Sequence, residues 1–159
     1  MTPGIFLNTV IRPTLAAINF GIGDTFAENI LLGTAIQESH LQDIVQTRGP
    51  ALGYFQMEPE THDDIWRNFL AYKPKIGILI KSLVPSGIET SANLLNHPQY
   101  ECAMARMFYA RCPGAIPQTL LGQAHYYKQF YNTPLGAATE TEYVDNFLKF
   151  CGHFPYNDE

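Results

Sequence analysis

Charged residues are scarce in this chain of 159 residues, at 16%, and lysine and arginine never form a run. The formal net charge is −5. Binding to the phosphates of nucleic acid needs a basic stripe, which this chain lacks. We therefore exclude nucleic acid as the main partner and expect a small substrate that carries little or no charge.

Long apolar runs are also absent. None approaches the roughly 20 residues that span a bilayer, and the apolar N-terminal segment is interrupted by Asn8, Arg12, Pro13 and Asn19. We expect no transmembrane segment and no secretory signal peptide.

Cysteine is rare, and no two cysteines are close together in the sequence. Cys102, Cys112 and Cys151 are odd in number and lack the close pairs of a zinc site. Buried free thiols are favoured over a single disulfide. The five histidines form neither an HExxH motif nor a helical pair. We expect no metal and no cofactor.

The residues that are present indicate one mainly α domain over 1–159. Apolar residues make up 46% and aromatic residues 13% of the chain, enough for a substantial core. Helical spacing and Pro/Gly breaks predict seven or eight helices and little strand. The predicted helices cover about 7–18, 25–41, 59–70, 75–84, 89–96, 98–111, 117–131 and 140–151.

Three local signals refine these helices. Pro13 predicts a bend or interruption in the first helix. Thr25, with Glu28 three positions later, predicts a capping box at the start of the second helix. Pro59, among acidic residues, predicts the start of the third.

Glu38 stands at the end of the strongly apolar second helix. At 100° per residue, Ile30, Thr34 and Glu38 fall within one sector. The carboxyl group of Glu38 therefore lies on the face of the helix that is predicted to pack against the core. Desolvation disfavours the charged form and raises the pKa, as a general acid requires. The position of Glu38 in the helix also allows a structural interpretation, in which Glu38 reaches solvent or is neutralised by Arg48 or Arg106.

The sequence after Glu38 favours the interpretation of this residue as a general acid. "ESHL" (Glu38–Leu41) ends a helix, and a loop then leads to "GYFQMEPET" (Gly53–Thr61). In order and spacing these blocks resemble the lysozyme-like superfamily, particularly lytic transglycosylases and goose-type lysozymes. A third family block, Ala-Tyr-Asn, is matched loosely by "QAHYY" (Gln123–Tyr127), where Tyr126 is the preferred match and the family's Asn is missing.

The resemblance implies a lysozyme-like fold and cleavage of the β-1,4 bond between N-acetylmuramic acid and N-acetylglucosamine in peptidoglycan. It assigns Glu38 as the catalytic group, first acid and then base. The residues that it implies for substrate binding are Ser39, Gly53, Tyr54, Gln56 and Tyr126.

Most glycosidases use two carboxyl groups, and a second one is not obvious here. Asp43, Glu58, Asp63 and Asp64 are candidates, but the last three are explained by charging a helix N-terminus. Asp43 is the most plausible because it lies in the loop after Glu38. The lack of a clear partner favours the transglycosylase route, with simple hydrolysis as the alternative.

Segments such as "GPALGYFQMEPETHDDIW" also resemble proteins of tailed bacteriophages. That resemblance implies synthesis in the host cytoplasm, action in the periplasm or cell wall, and peptidoglycan glycan strands as the partner, with phage virion or tail proteins as further partners. The alternative function is a catalytically inactive lysozyme-like module, structural or wall-binding, in a phage particle.

Overall fold

Seven helices, joined by loops into one domain, are found in the computed structural model, which describes residues 1–158. No strand occurs in that part of the chain beyond isolated bridges. The mainly α prediction is confirmed. The helices are α1 (Pro3–Phe6, Leu7–Ile11 and Arg12–Ala17), α2 (Thr25–Ser39), α3 (Pro59–Asn68), α4 (Pro74–Lys81), α5 (Pro98–Ala110), α6 (Leu120–Tyr126 and Tyr127–Asn132) and α7 (Glu140–Cys151).

The helix predicted over 89–96 is wrong. Only a short 3₁₀ turn, Ser91–Leu94, forms there. The side-chain amide of Asn93 donates to the carbonyl oxygen of Ile88 at 2.8 Å, and this local bond offers the backbone an alternative to a helix. A second 3₁₀ turn, Leu70–Tyr72, follows α3.

The bend predicted near Pro13 takes the form of a π-helical turn over Leu7–Ile11. The N–H of Arg12 donates to the carbonyl oxygen of Leu7, five residues back. Proline has no N–H, and its ring would clash with the carbonyl group four residues earlier in a regular α-helix. The wider turn relieves that clash, so α1 continues through Pro13 to Ala17.

The N-cap of α2 is Asp24, so the capping box predicted from Thr25 is wrong. Oδ1 of Asp24 accepts from the N–H groups of Phe26 and Ala27, at 3.0 and 3.1 Å. Aspartate is at least as good an N-cap as threonine, and the extended backbone of Asp24 presents its carboxylate to the helix end. Glu28 instead lies 3.4 Å from the guanidinium group of Arg12.

Helix α2 is the centre of the fold. Every residue from Ala27 to Ile36 is buried, because α1, α5 and α7 pack around it. Burial on all sides replaces the single apolar sector that the spacing predicted. Glu38 lies two residues past this buried stretch and is partly buried, just before the helix ends at His40, which has a left-handed backbone with φ of 51°.

The loop between α2 and α3 folds back on the end of α2. Leu52 forms antiparallel bridges with Val45 and Met57, and these bridges define a tight turn over 53–56. Pro59 is the first residue of α3, as predicted, with Glu58 in the N-cap position. The loop therefore lies between the C-terminus of α2 and the N-terminus of α3.

All three cysteines are free, with Cys102 and Cys151 buried and Cys112 partly buried. Within residues 1–158, no helix combines the length and the apolar character that a membrane span requires. Over the same residues, histidine, cysteine, aspartate and glutamate form no group suited to a metal ion.

Substitution of Gly33 by alanine tests the packing of α2 against α7. A Cβ atom at Gly33 would collide with the ring and hydroxyl of Tyr143 and lie 3.2 Å from Phe147. The gain in helix propensity is about 1 kcal/mol, whereas overpacking a core costs about 1–3 kcal/mol. We expect the free energy of unfolding, measured by urea denaturation, to fall by up to about 2 kcal/mol.

The matched control is Gly77→Ala in α4. The same gain in helix propensity applies there, and a Cβ atom comes no closer than 3.3 Å to a ring carbon of the partly buried Trp66, so the free energy of unfolding should not fall. Equal stability of the two variants would contradict the tight contact between α2 and α7.

Candidate active site

A cleft of about 380 Å³ lies beside the C-terminal end of α2. The loop before α3 forms one side, and the C-terminal end of α6 forms the other. Phe108 and Tyr131 contribute aromatic surface to it. The polar side chains that line the cleft include Glu38, Gln46, Gln56, Glu58, Thr61 and Asn132.

Glu38 is the partly buried carboxyl group of this cleft. Its Oε1 accepts a hydrogen bond of 2.6 Å from the hydroxyl of Tyr127. Desolvation raises the pKa of Glu38 to about 7, and the bond from Tyr127 acts in the opposite direction. Near neutral pH both protonation states are therefore populated, as a group that serves first as acid and then as base requires.

Tyr127 is fully buried, and its ring lies 4.9 Å from that of Tyr143 and 6.0 Å from that of Tyr131. Burial, together with the nearby Glu38 carboxyl, raises the pKa of Tyr127, so its hydroxyl remains a donor. Because Oε1 of Glu38 accepts this bond, the proton of the neutral carboxyl group is left to Oε2.

Ser39 joins the end of α2 to the loop and does not bond to Glu38. Its Oγ lies 2.7 Å from the carbonyl oxygen of Tyr54 and 2.9 Å from that of Ala35, and it accepts from the N–H of Gln42. Tyr54 itself is buried against Phe6 at 5.0 Å between ring centroids. The structure thus gives Ser39 and Tyr54 supporting positions next to the cleft.

Gln56 lines the cleft, whereas Gly53 does not. Nε2 of Gln56 donates to the carbonyl oxygens of Ile44 and Gly53, at 3.0 and 2.9 Å. Within residues 1–158 no donor is recorded for its Oε1, which leaves that oxygen for a ligand N–H or O–H. Gly53 has φ of 81°, a left-handed conformation that favours glycine.

The structure brings Tyr127, and not Tyr126, to Glu38. The hydroxyl of Tyr126 donates to the carbonyl oxygen of Pro113 at 3.1 Å, and its ring packs on Tyr109 and Phe130. Successive residues in a helix point about 100° apart, so only one of the two neighbours can face Glu38. The sequence motif had indicated Tyr126.

Of the four candidate second carboxyl groups, only Glu58 lines the cleft. Asp63 lies beside His62, and Asp64 pairs with Arg111. Asp43, the most plausible candidate from the sequence, accepts from the backbone N–H of Asn96 at 2.9 Å and is not part of the cleft wall.

Two further cleft residues, Tyr131 and Asn132, were not identified from the sequence. The hydroxyl of Tyr131 donates to the carbonyl oxygen of Phe55 at 2.6 Å and so ties α6 to the loop. Tyr127 and Tyr131 are four residues apart and therefore lie on one face of the helix. This spacing is the sequence signal that could have identified these two tyrosines.

A slightly larger cavity, of about 460 Å³, lies between α3 and α4 around Trp66. Its buried His62 is already engaged by Asp63 and by the hydroxyl of Tyr100, at 2.9 and 2.7 Å. Burial lowers the pKa of His62. This histidine is explained by its structural bonds, and we therefore place the candidate chemistry at Glu38.

Comparisons of the chain with protein-family models, with curated proteins and with solved structures found no match. The assignment of function consequently depends on the geometry of the cleft and on the sequence motifs.

Removal of the Tyr127 hydroxyl tests the pairing with Glu38. In Tyr127→Phe, loss of the donated hydrogen bond should raise the pKa of Glu38 above about 7. The measurement is a pH titration of the Glu38 side-chain carboxyl ¹³C signal by NMR. Tyr126→Phe is the matched control and should leave the titration unchanged, because that hydroxyl bonds to Pro113. Equal titrations in both variants would contradict the pairing.

Proposed function

We propose that this chain is a peptidoglycan-cleaving muramidase with a lysozyme-like fold. It acts as a lytic transglycosylase on the β-1,4 bond between N-acetylmuramic acid and N-acetylglucosamine. The observation that carries the proposal is Glu38, a desolvated carboxyl group of pKa about 7 that lines a polar cleft and is held by Tyr127.

In the first step, neutral Glu38 gives its Oε2 proton to the glycosidic oxygen as the bond from the anomeric carbon to that oxygen breaks. The positive charge that develops at the anomeric carbon is stabilised by the acetamido oxygen of the same sugar. Tyr127 keeps donating to Oε1, so the carboxylate that forms has one oxygen already paired.

In the second step, Glu38 acts as a base. Its carboxylate takes the proton of the 6-hydroxyl group of the same sugar while that oxygen bonds to the anomeric carbon. The product is a 1,6-anhydro end, no water is consumed, and Glu38 recovers its proton. A single carboxyl group of pKa near neutral can perform both transfers.

The lining of the cleft suits an uncharged, hydroxyl-rich and amide-rich ligand. Gln46, Gln56, Thr61 and Asn132 supply neutral hydrogen-bonding groups, and the aromatic ring of Tyr131 can contact a sugar face. The described lining contains no lysine or arginine. A cleft of this kind favours glycan over a polyanion.

The two motif blocks also have defined places in this arrangement. Ser39 fixes the loop to the helix that carries Glu38, and Gln56 presents its side chain to the cleft from that loop. The Glu-Ser and Gly-x-x-Gln blocks thus lie next to each other in space. Their proximity supports the proposed family, and the departure of the third block from Ala-Tyr-Asn keeps an inactive module as the alternative.

Loss of turbidity of purified peptidoglycan tests the activity. Glu38→Gln should reduce the rate by about 10²- to 10⁴-fold, because glutamine cannot transfer the proton. In the wild type the rate should fall as the pH rises above about 7, since Glu38 then loses the proton that it must donate.

Glu58→Gln is the matched control, because Glu58 is the other carboxyl group that lines the cleft. The one-carboxyl route predicts that it keeps its activity, and mass spectrometry of the products should find 1,6-anhydro ends. Loss of activity in Glu58→Gln together with reducing ends would establish a two-carboxyl hydrolase instead. Binding without turnover by the wild type would support the inactive module.

A further inference from the structure

Glu101, on α5, is a buried carboxyl group that the proposed reaction does not use. It is 1% exposed, and within residues 1–158 no lysine, arginine or histidine forms an ion pair with it. Its Oε1 accepts from the backbone N–H of Tyr54 at 2.8 Å. A buried carboxylate without a cation is costly, so this group needs another explanation.

The explanation lies in Asp43, which faces Glu101 from the loop before α3. Oδ2 of Asp43 accepts from the N–H of Asn96. Oδ1 of Asp43 and Oε2 of Glu101 are both buried, and no N–H or O–H group of residues 1–158 donates to either. The two side chains are within hydrogen-bonding reach of each other. One proton between them satisfies both orphaned oxygens, whereas two charged carboxylates would repel.

We propose that Glu101 is protonated in the folded protein, donates from Oε2 to Oδ1 of Asp43, and thereby positions the 53–56 turn that supports the cleft. Glu101 is a positioning residue and does not touch the ligand. Its contribution to cleavage rests on the proposed function, whereas its protonation and its hold on the turn do not.

The turn is built against Glu101. A Cβ atom at Gly53 would collide with the carboxyl group of Glu101 and with the carbonyl oxygen of Leu94, so the backbone lies in direct contact with both. The next residue, Tyr54, donates its N–H to Glu101 and receives the Ser39 hydroxyl at its carbonyl oxygen. A continuous path of hydrogen bonds therefore runs from Glu101 to the residue that follows Glu38.

The titratable groups that face Glu101 are Asp43 and Tyr54 from the loop, Tyr131 from α6 and Cys102 on its own helix. Burial first, and then Asp43, raise the pKa of Glu101 from 4.5 to about 9, against the lowering effects of the backbone N–H groups of Tyr54 and His97. Between these two values the folded chain keeps a proton that the unfolded chain releases. Stability from this group is therefore fully present below pH 4.5 and declines up to about pH 9.

Glu101→Gln tests the protonation, because glutamine has the shape and the donor of the neutral acid. We expect the melting temperature of Glu101→Gln minus that of the wild type to grow by about 5 °C or more from pH 5 to pH 8. Glu38 titrates in both proteins, so its effect cancels in the difference. A difference that does not change with pH would overturn the proposal.

Two further variants define the comparison. Glu28→Gln changes another buried glutamate, which lies 3.4 Å from Arg12, and should lower the melting temperature because the guanidinium group loses its partner. Glu101→Ala leaves Tyr54 and Asp43 without their partner and should lower the melting temperature throughout this range. If glutamine is no better than alanine at pH 8, Glu101 is not a neutral donor.

Cleavage of peptidoglycan gives the second readout. Glu101→Gln should keep a rate within about twofold of the wild type, and Glu101→Ala should lose most of it, so that the conservative variant rescues the turn. A wild type without cleavage would refute the proposed function, and the melting temperatures would still decide the state of Glu101. Equal rates in the glutamine and alanine variants would refute the positioning role.

Discussion

The burial of α2 on every side is the constraint on which the rest of the structure depends. A helix enclosed from Ala27 to Ile36 by three other helices emerges from the core only at its ends. Glu38 stands at the C-terminal exit, where the packed interior meets the cleft. Its elevated pKa follows from that place, because the apolar helices around α2 withhold the water that would stabilise a charge.

Two carboxyl groups on neighbouring helices show how the same desolvation leads to different roles. Glu38 has an open cleft on one side and a phenol donor on the other, so its proton can be exchanged with a ligand. Glu101 is closed in by Asp43 and the 53–56 turn, so its proton is held between protein oxygens. Access to solvent, more than the value of the pKa, separates a group suited to chemistry from one suited to structure.

Sequence patterns predicted most of the helices because the signals are local. Pro59 marks the start of α3 by its fixed φ angle, and a mainly α domain followed from spacing and breaks. The errors have different causes: local bonds decide the missing helix over 89–96 and the position of the cap, whereas contacts distant in sequence decide between the two tyrosines. Asp24 and Thr25 are both acceptable caps, and backbone geometry selects the first. Tyr126 and Tyr127 are adjacent, and only the packing of α6 against α2 and α7 determines which one reaches Glu38.

The 53–56 turn is held at three separate points. Ser39 binds the carbonyl oxygen of Tyr54, Tyr131 binds that of Phe55, and Glu101 receives the Tyr54 N–H. A loop fixed in this way has little conformational entropy left to lose when a ligand arrives. This wall of the cleft is therefore preformed. The affinity of the cleft for a ligand should reflect contacts and desolvation, with little cost for ordering the loop.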